Sequence, residues 1–255
     1  LNIMNDYKRK NDRLVDQIRE VSLERDFVSN SDGSVLISQG NTRVLCTANI
    51  ENKCPSWLKG TDKGWITAEY SMLPGSTNNR TNREAVKGKQ SGRTLEIQRL
   101  IGRTLRSSLD LSFIREKTVI IDCDVIHADG GTRCASITGS WLALFDALNK
   151  ENNFLDEKNL NLIKRVAAIS VGYIGERLVL DLDYDEDAGC GVDLNVVMQP
   201  GLNIVEIQGT AERRTFSKSE LIEMTTLAEK GIGVLFEMQK IMTQQISLKR
   251  LASCD

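Results

Sequence analysis

Ala128-Asp129-Gly130-Gly131-Thr132-Arg133-Cys134-Ala135-Ser136-Ile137-Thr138-Gly139 comes just after a run rich in β-branched residues, Thr118 to Ile126. The run reads as a buried strand, and the two glycines, the threonine and the arginine then open an apolar helix. That order builds an anion site. Glycines without Cβ let the backbone approach a ligand closely, and the free N–H groups at a helix start point toward it. The helix dipole adds partial positive charge there, and Arg133 adds a full one in a fork that suits phosphate. Glycine turns also precede helices that hold no ligand, so this turn takes its meaning from the rest of the chain.

With 255 residues the chain has room for one large domain or two small ones around a shared core. Hydrophobic residues make up 40% and charged residues 27%, the balance of a soluble globular protein. No stretch approaches the roughly 20 apolar residues of a membrane span, and the polar start from Leu1 to Lys10 has no signal-peptide core. These features predict a cytoplasmic protein with no membrane partner. The six cysteines (Cys46, Cys54, Cys123, Cys134, Cys190 and Cys254) have irregular spacing and form no Cys-x-x-Cys. Cys46 and Cys123 sit in apolar runs, where a reduced thiol packs as a small hydrophobe. His127 is the only histidine, which argues against a structural zinc and against a Ser-His-Asp or Cys-His nucleophile.

A net charge of −2 hides a polarised chain. Between Gly75 and Arg106 lie eight basic residues (Arg80, Arg83, Lys87, Lys89, Arg93, Arg99, Arg103 and Arg106) against Glu84 and Glu96. Between Asp181 and Asp193 lie six acidic ones (Asp181, Asp183, Asp185, Glu186, Asp187 and Asp193) and no base. Two solvated faces would account for this; so would a polyanion track beside a carboxylate cluster able to hold a divalent cation.

Strands are predicted at Ser34–Ile37, Thr42–Ala48 and Gly64–Tyr70, the first two joined through the turn Gln39-Gly40-Asn41. A polar loop from Pro74 to Asn82 leads into a helix-rich segment from about Arg83 to Leu109, the strand Thr118–Ile126 and a helix over Arg133–Asn149. After Lys150-Glu151-Asn152-Asn153 the strands are Val166–Tyr173, Arg177–Asp181, Asp193–Met198 and Leu202–Gly209, ahead of an amphipathic helix from Lys218 to Thr243. Only the last dozen residues read as frayed. Antiparallel strand groups followed by helices, twice over, predict an α+β protein with an internal pseudo-repeat. No low-complexity linker divides the halves, which predicts a shared interface.

On the helix beginning near Arg93, residues Ile97, Leu100, Ile101 and Leu105 share one face, while Arg99, Arg103 and Arg106 form a stripe facing solvent or a partner subunit. Arg93 lies about 40° from Ile97, on the edge of the apolar face. An arginine there needs an anion, supplied either by an internal salt bridge or by a ligand.

The chain resembles the ribonuclease PH family, phosphate-dependent exoribonucleases related to polynucleotide phosphorylase and the exosome ring. The resemblance runs along nearly the whole chain. It is densest at Gly33–Ile37, Val44–Ala48, Gly64–Tyr70, Arg83-Glu84-Ala85, Gly88-Lys89-Gln90, Gly92-Arg93-Thr94, Glu96–Arg103, Asp122–Val125, Ala128–Arg133, Asp193–Met198 and Glu206–Glu212. It implies the ribonuclease PH fold, an α+β arrangement of two pseudo-repeated halves in which mixed or antiparallel sheets pack with helices, similar to the second domain of ribosomal protein S5. One such domain would span residues 1–255, its first half about 14–150 and its second about 151–245.

The implied activity is that of a 3′-to-5′ exoribonuclease and tRNA nucleotidyltransferase. It would remove the 3′ extension of precursor tRNA, and of rRNA, as nucleoside diphosphates in a reversible reaction with inorganic phosphate as co-substrate. By resemblance, Arg93, Gly131, Thr132 and Arg133 bind the attacking phosphate, the Thr132 hydroxyl and loop N–H groups completing the cradle. Asp187 and Asp193 match the family's catalytic acidic pair, which would hold Mg²⁺ (or Mn²⁺) or supply a proton. Arg80 and Arg83 match positions that grip the tRNA acceptor stem. A homo-hexamer, a trimer of dimers, is implied as well. Asp122 and Asp124 share one face of their strand and are predicted to be structural, capping a backbone or pairing with arginine. The alternative is a catalytically weak ring subunit that threads RNA.

Three departures stand out. Gly75 replaces the arginine usual after Met-Leu-Pro, an Arg-Pro-Asp-Gly-Arg start survives only as Lys10-Asn11-Asp12-Arg13 although Asp16-Gln17-Ile18-Arg19 still fits, and Arg213-Arg214-Thr215 replaces a Gly-x-Pro. None touches the phosphate or acidic positions, so they predict intact chemistry with a weaker hold on RNA.

Overall fold

A computed structural model describes residues 8–152 and 162–251. The first sheet is built from β1 (Val21–Arg25), β2 (Gly33–Gln39), β3 (Thr42–Glu51), β4 (Trp65–Met72) and, after two helices, β5 (Thr118–His127). Its strand order is β1-β2-β3-β5-β4, antiparallel except where β4 runs parallel to β5. The helices between β4 and β5 are α1 (Glu84–Lys87) and α2 (Gly92–Arg106), and α3 (Thr132–Asn152) follows β5. The second half holds β6 (Ala167–Ile174), β7 (Arg177–Leu180), α4 (Tyr184–Gly189), β8 (Val192–Gln199), β9 (Asn203–Ala211) and α5 (Lys218–Leu251). Its sheet is wholly antiparallel, in the order β7-β6-β8-β9.

β5 illustrates how the pattern becomes structure. Val119, Ile121, Cys123 and Val125 turn inward and are buried, while Ile120, Asp122, Asp124 and Ile126 face the other way. The strand is therefore buried on one face. The inward row packs in one core with α2 and α3; that core includes Trp141, Leu142 and Phe145 and extends to Ala168 and Val197 of the second sheet. A second core joins the second sheet to α5 through Met224, Ala228, Ile232 and Leu235. With α3 packed on β2 and β3 on one side and β6 on the other, the two halves share an apolar interface.

The helix-rich segment from Arg83 divides at Gly88, and Ser91 caps α2 by accepting from the Thr94 N–H at 3.2 Å. Glu84 ties the two helices together, accepting from the Thr94 hydroxyl at 2.8 Å and the Ser91 N–H at 3.1 Å. Ile97, Leu100, Ile101 and Leu105 are buried as the wheel predicts. The arginine stripe is a correction: of its three members only Arg99 is exposed with no partner among the described residues. Arg103 forms a bidentate pair with Glu206 of β9, and Arg106 stacks 4.2 Å over the Trp65 ring while donating to the Ile66 carbonyl. α5 runs through Leu251, past its predicted end, so most of the expected frayed tail is helix; residues 252–255, with Cys254, lie outside the described residues, as do 1–7 of the polar start and 153–161 after the half boundary. No helix among the described residues is long and apolar enough to cross a membrane.

Candidate active site

The turn from Ala128 to Gly131 carries β5 into α3. Gly130 and Gly131 both adopt left-handed backbone, with φ of +78° and +67°. A Cβ on Gly130 would stand 2.6 Å from the Leu182 carbonyl oxygen, so only glycine lets this turn rest on the backbone that leads into α4. The Thr42 hydroxyl locks the turn, donating to the Gly130 carbonyl at 2.6 Å and accepting from the Asp129 N–H at 2.9 Å. The Gly131 carbonyl accepts from the Ala135 N–H at 3.0 Å, which starts α3 and leaves the N–H groups of its first turn without helical acceptors.

Arg93, Gly131, Thr132, Arg133, Asp187 and Asp193 all line one cleft of about 410 Å³. They come from α2, the turn and start of α3, α4 and β8, and only the fold brings them together. Arg93 is exposed and among the described residues makes no ion pair; its side chain contacts the Met72 sulfur at 3.9 Å. Of the two anion sources open to it, the internal salt bridge is absent. Arg133 is held instead: it donates to Gln208 at 3.1 Å and lies 3.5 Å from Glu96, while Gln208 donates to Glu96 at 2.7 Å. The Thr132 hydroxyl is buried and pairs with the Tyr70 hydroxyl at 2.9 Å, so it is less available to a ligand than the resemblance implies.

Asp187 stands at the last turn of α4 and Asp193 near the start of β8. Asp187 opens to the cleft, yet enough protein surrounds it that burial pushes its carboxyl pKa up; the charges of Arg133 and Arg93 pull against this and that of Glu212 adds to it. Asp193 is half-buried, and its pKa is raised by burial and then by the charges of Asp187 and Glu212. Like charges crowded at a cleft are what a divalent cation relieves. Among the described residues no group of three His, Cys, Asp or Glu side chains is placed to cage a metal. Two carboxylates with the remaining positions left to water and phosphate oxygens suit Mg²⁺ and its open coordination shell.

The other acidic residues of 181–193 have a different role. Glu186 is buried and receives Arg9 through two hydrogen bonds, at 2.7 and 2.8 Å, and Arg13 at 2.9 Å. With Asp183 it forms the capping box that makes 184–189 a helix. Asp181 is buried against Arg19 and Arg13. The acidic segment is thus mostly neutralised from within. The N-terminal arginines do this: Arg9 and Arg13, the outer places of the Arg-Pro-Asp-Gly-Arg pattern, are retained, and Asp12 takes the glycine's place at φ of +52°. Burial raises the Glu186 carboxyl, but Arg9, the Asp183 N–H and Arg13 outweigh it and bring its pKa down to about 2. A depressed carboxylate stabilises the fold above its unfolded pKa, about 4.3, and that stabilisation is lost as pH falls through the folded value. The stability difference between wild type and Glu186→Gln, from chemical denaturation, is therefore expected to shrink steadily from pH 5 to pH 2. A constant difference across that range would remove the carboxylate from the clasp.

Asp122 and Asp124 require correction. Among the described residues no arginine pairs with them, and Asp122 accepts only a long 3.4 Å bond from Thr47. With Glu69, Asp122's partner in register on β4, they floor a larger cleft of about 850 Å³ whose rim carries Arg83 and Arg93. Burial, and then the neighbouring carboxylates, push both their pKa values up. Arg93 and Met72 border both clefts, so the two are contiguous. Arg80 lines neither; it sits exposed, donating to Asn82 at 3.1 Å. At Gly75 an added Cβ would meet nothing within 4 Å.

Residues 17–148 match the model of the 3′ exoribonuclease family, domain 1, and residues 164–231 match that family's domain 2. The chain belongs to the 3′ exoribonuclease family. Solved structures agree on the fold of this family. Rice (Oryza sativa) Rrp46 is 17% identical, with a TM-score of 0.73 over 94% of this chain and 100% of that one. A chain of the Archaeoglobus fulgidus exosome with RNA bound to the active site is 18% identical, with a TM-score of 0.74 over 92% of each chain. An archaeal exosome core chain is 17% identical, with a TM-score of 0.71 over 92% of this chain and 91% of that one. The expected α+β fold and family are therefore correct. Sequence reasoning passed over four site neighbours, namely Arg19, Gln208, Glu96 and Glu212. All four lie inside segments that match the family, Arg19 in Asp16-Gln17-Ile18-Arg19, and that resemblance was the one signal pointing to them.

Proposed function

We propose that this exoribonuclease-family chain is a phosphate-dependent 3′-to-5′ exoribonuclease and tRNA nucleotidyltransferase. It acts in the cytoplasm as a homo-hexamer and trims precursor tRNA and rRNA 3′ ends to release nucleoside diphosphates. The observation that carries this reading is the convergence of Arg93, the Gly131–Arg133 turn, Asp187 and Asp193 on one cleft. In phosphorolysis an oxygen of inorganic phosphate attacks the terminal phosphodiester. The bond to the 3′ oxygen of the preceding nucleotide breaks, that oxygen takes up a proton, and the last nucleotide leaves as a diphosphate. Two anions must meet, so catalysis is mainly charge neutralisation and alignment. Arg93 and Arg133 clamp the attacking phosphate at the start of α3, and the open N–H groups of the turn complete its cradle. Mg²⁺, or Mn²⁺ in its place, would bind Asp187 and Asp193 and neutralise charge on the scissile phosphate. The raised pKa of both carboxyls also suits one of them to hand a proton to the departing 3′ oxygen.

A second reading, a ring subunit that threads RNA with little catalysis, draws on the likeness to exosome chains. Product analysis separates the two. A tRNA precursor with a short 3′ extension is incubated with Mg²⁺, with and without inorganic phosphate. Diphosphates released only with phosphate, and trimming that stalls at the acceptor stem, support phosphorolysis. Monophosphates without phosphate mean hydrolysis, and bound but uncut RNA favours the threading subunit.

RNA grip is expected to respond to single charges. Arg83→Ala weakens binding and lowers the slope of log K against log salt by about 0.9, the value for one contact to a duplex such as the acceptor stem. Gly75→Arg, for which there is room, strengthens binding and steepens the slope by a similar amount. Filter-binding titrations across salt concentrations check both.

A further inference from the structure

We propose that Arg19 and Asp181 are positioning residues that set the phosphate-binding turn in register with the acid-bearing segment around Asp187. Asp181 is only 1% exposed and stands just past β7 in left-handed backbone, φ +57°. A non-glycine residue keeps such a conformation where its surroundings over-determine it. Here they do: the Asp181 carboxylate accepts from the Arg19 backbone N–H at 2.7 Å, from Arg19 Nε at 3.0 Å and Nη2 at 2.6 Å, and from Gln39 at 2.8 Å. Arg13 adds a longer contact at 3.3 Å.

The same Arg19 guanidinium also reaches the anion turn of its own half. Nη1 donates to the Asp129 carbonyl, and Nη2 donates to the Gly130 carbonyl at 3.4 Å. One arginine therefore joins the carboxylate that begins the stretch 181–187 to the two carbonyls that shape the anion turn. Two direct links run in parallel, the close approach of Gly130 to the 182–183 backbone and the 3.4 Å bond from the Tyr184 N–H to the Asp129 carboxylate. A buried ion pair contributes little net stability over an apolar pair, so a fork that meets a carboxylate on one side and two carbonyls on the other is better accounted for by geometry than by stability. Lysine keeps the charge and cannot make the fork.

What the turn holds rests on the phosphorolytic reading; the linkage between the segments does not. Hydrogen–deuterium exchange on the full chain compares wild type with Arg19→Lys, Asp181→Asn and, as control, Arg25→Lys. Arg25 forms a separate ion pair, with Asp146, and donates to the Met242 carbonyl. Arg19→Lys is expected to speed exchange about ten-fold or more in residues 129–134 and 181–187 together, with Arg25→Lys leaving both segments at wild-type rates. In the phosphorolysis assay, Arg19→Lys raises the KM for phosphate about ten-fold or more, the scale of a small misplacement, and leaves RNA affinity unchanged. Unchanged exchange in both segments, or an equal rise in Arg25→Lys, overturns the proposal; if Asp181→Asn does not fold, Arg19→Lys decides alone. A wild type without phosphate-dependent activity overturns the phosphorolytic reading, and the exchange pattern still decides the linkage.

Discussion

Asp193→Asn is expected to lower kcat by at least about 10²–10³-fold, the cost of removing one preorganised electrostatic group, and to raise the melting temperature. The two effects share a cause. Asp193 is half-buried beside Asp187 and Glu212, with its pKa pushed up, so the folded state disfavours its ionised form. A carboxyl whose folded pKa is raised stabilises the fold only at low pH; above its unfolded pKa its charge is a cost. Asparagine keeps the shape and removes the charge. A gain of roughly 1–3 °C at pH 7 is expected, the scale that up to about 1 kcal/mol produces in a chain of this size. Added Mg²⁺ should raise the wild-type melting temperature and leave the variant's nearly unmoved. Initial rates and thermal melts with and without Mg²⁺ measure all three. A variant that loses activity and melts earlier would mark Asp193 as a structural carboxylate.

Arg93→Ala and Arg133→Ala should both raise the KM for phosphate, by about 10–150-fold, the range of one charge-assisted hydrogen-bonding group lost. RNA affinity should stay within a factor of about two to three. Stability separates the pair. Among the described residues Arg93 has no carboxylate ion-pair partner, so its truncation breaks no ion pair there, and the change in unfolding free energy should stay within about 0.5 kcal/mol. Arg133 is braced by Gln208 and Glu96, and its removal strands a carboxylate that has lost its cation. That variant should be measurably less stable. Equal loss of phosphate and RNA affinity in either variant would contradict a phosphate-specific role.

Much of the architecture was legible because its elements are long and periodic. The inward row of β5 and the apolar face of α2 follow alternation and the i, i+3, i+4 rule directly. β1 was not legible: Val21-Ser22-Leu23-Glu24-Arg25 is a short edge strand whose pairing to β2 decides its conformation. α4 was hidden for a different reason. Six acid-rich residues have little helix preference of their own, and the capping box together with the arginine clasp turns them helical. The clasp itself looked degraded because the missing proline and glycine are conspicuous, whereas the retained Arg9 and Arg13 carry the contacts.

The sequence alone determined the α+β class, the strand-turn-helix at Gly130-Gly131-Thr132-Arg133 and the identity of the six residues proposed for the cleft. The first two follow from local sterics and periodicity, which act over a few residues, and the six residues follow from the resemblance to the family. Tertiary structure decided which charges are spent inside the fold and which remain for a ligand. Arg103 is taken up by Glu206, Asp181 by Arg19 and Glu186 by Arg9, whereas Arg93 is left open and Asp187 and Asp193 are left crowded against each other. An ion pair depends on separations of a few ångströms between residues more than a hundred positions apart, and no local pattern encodes that distance.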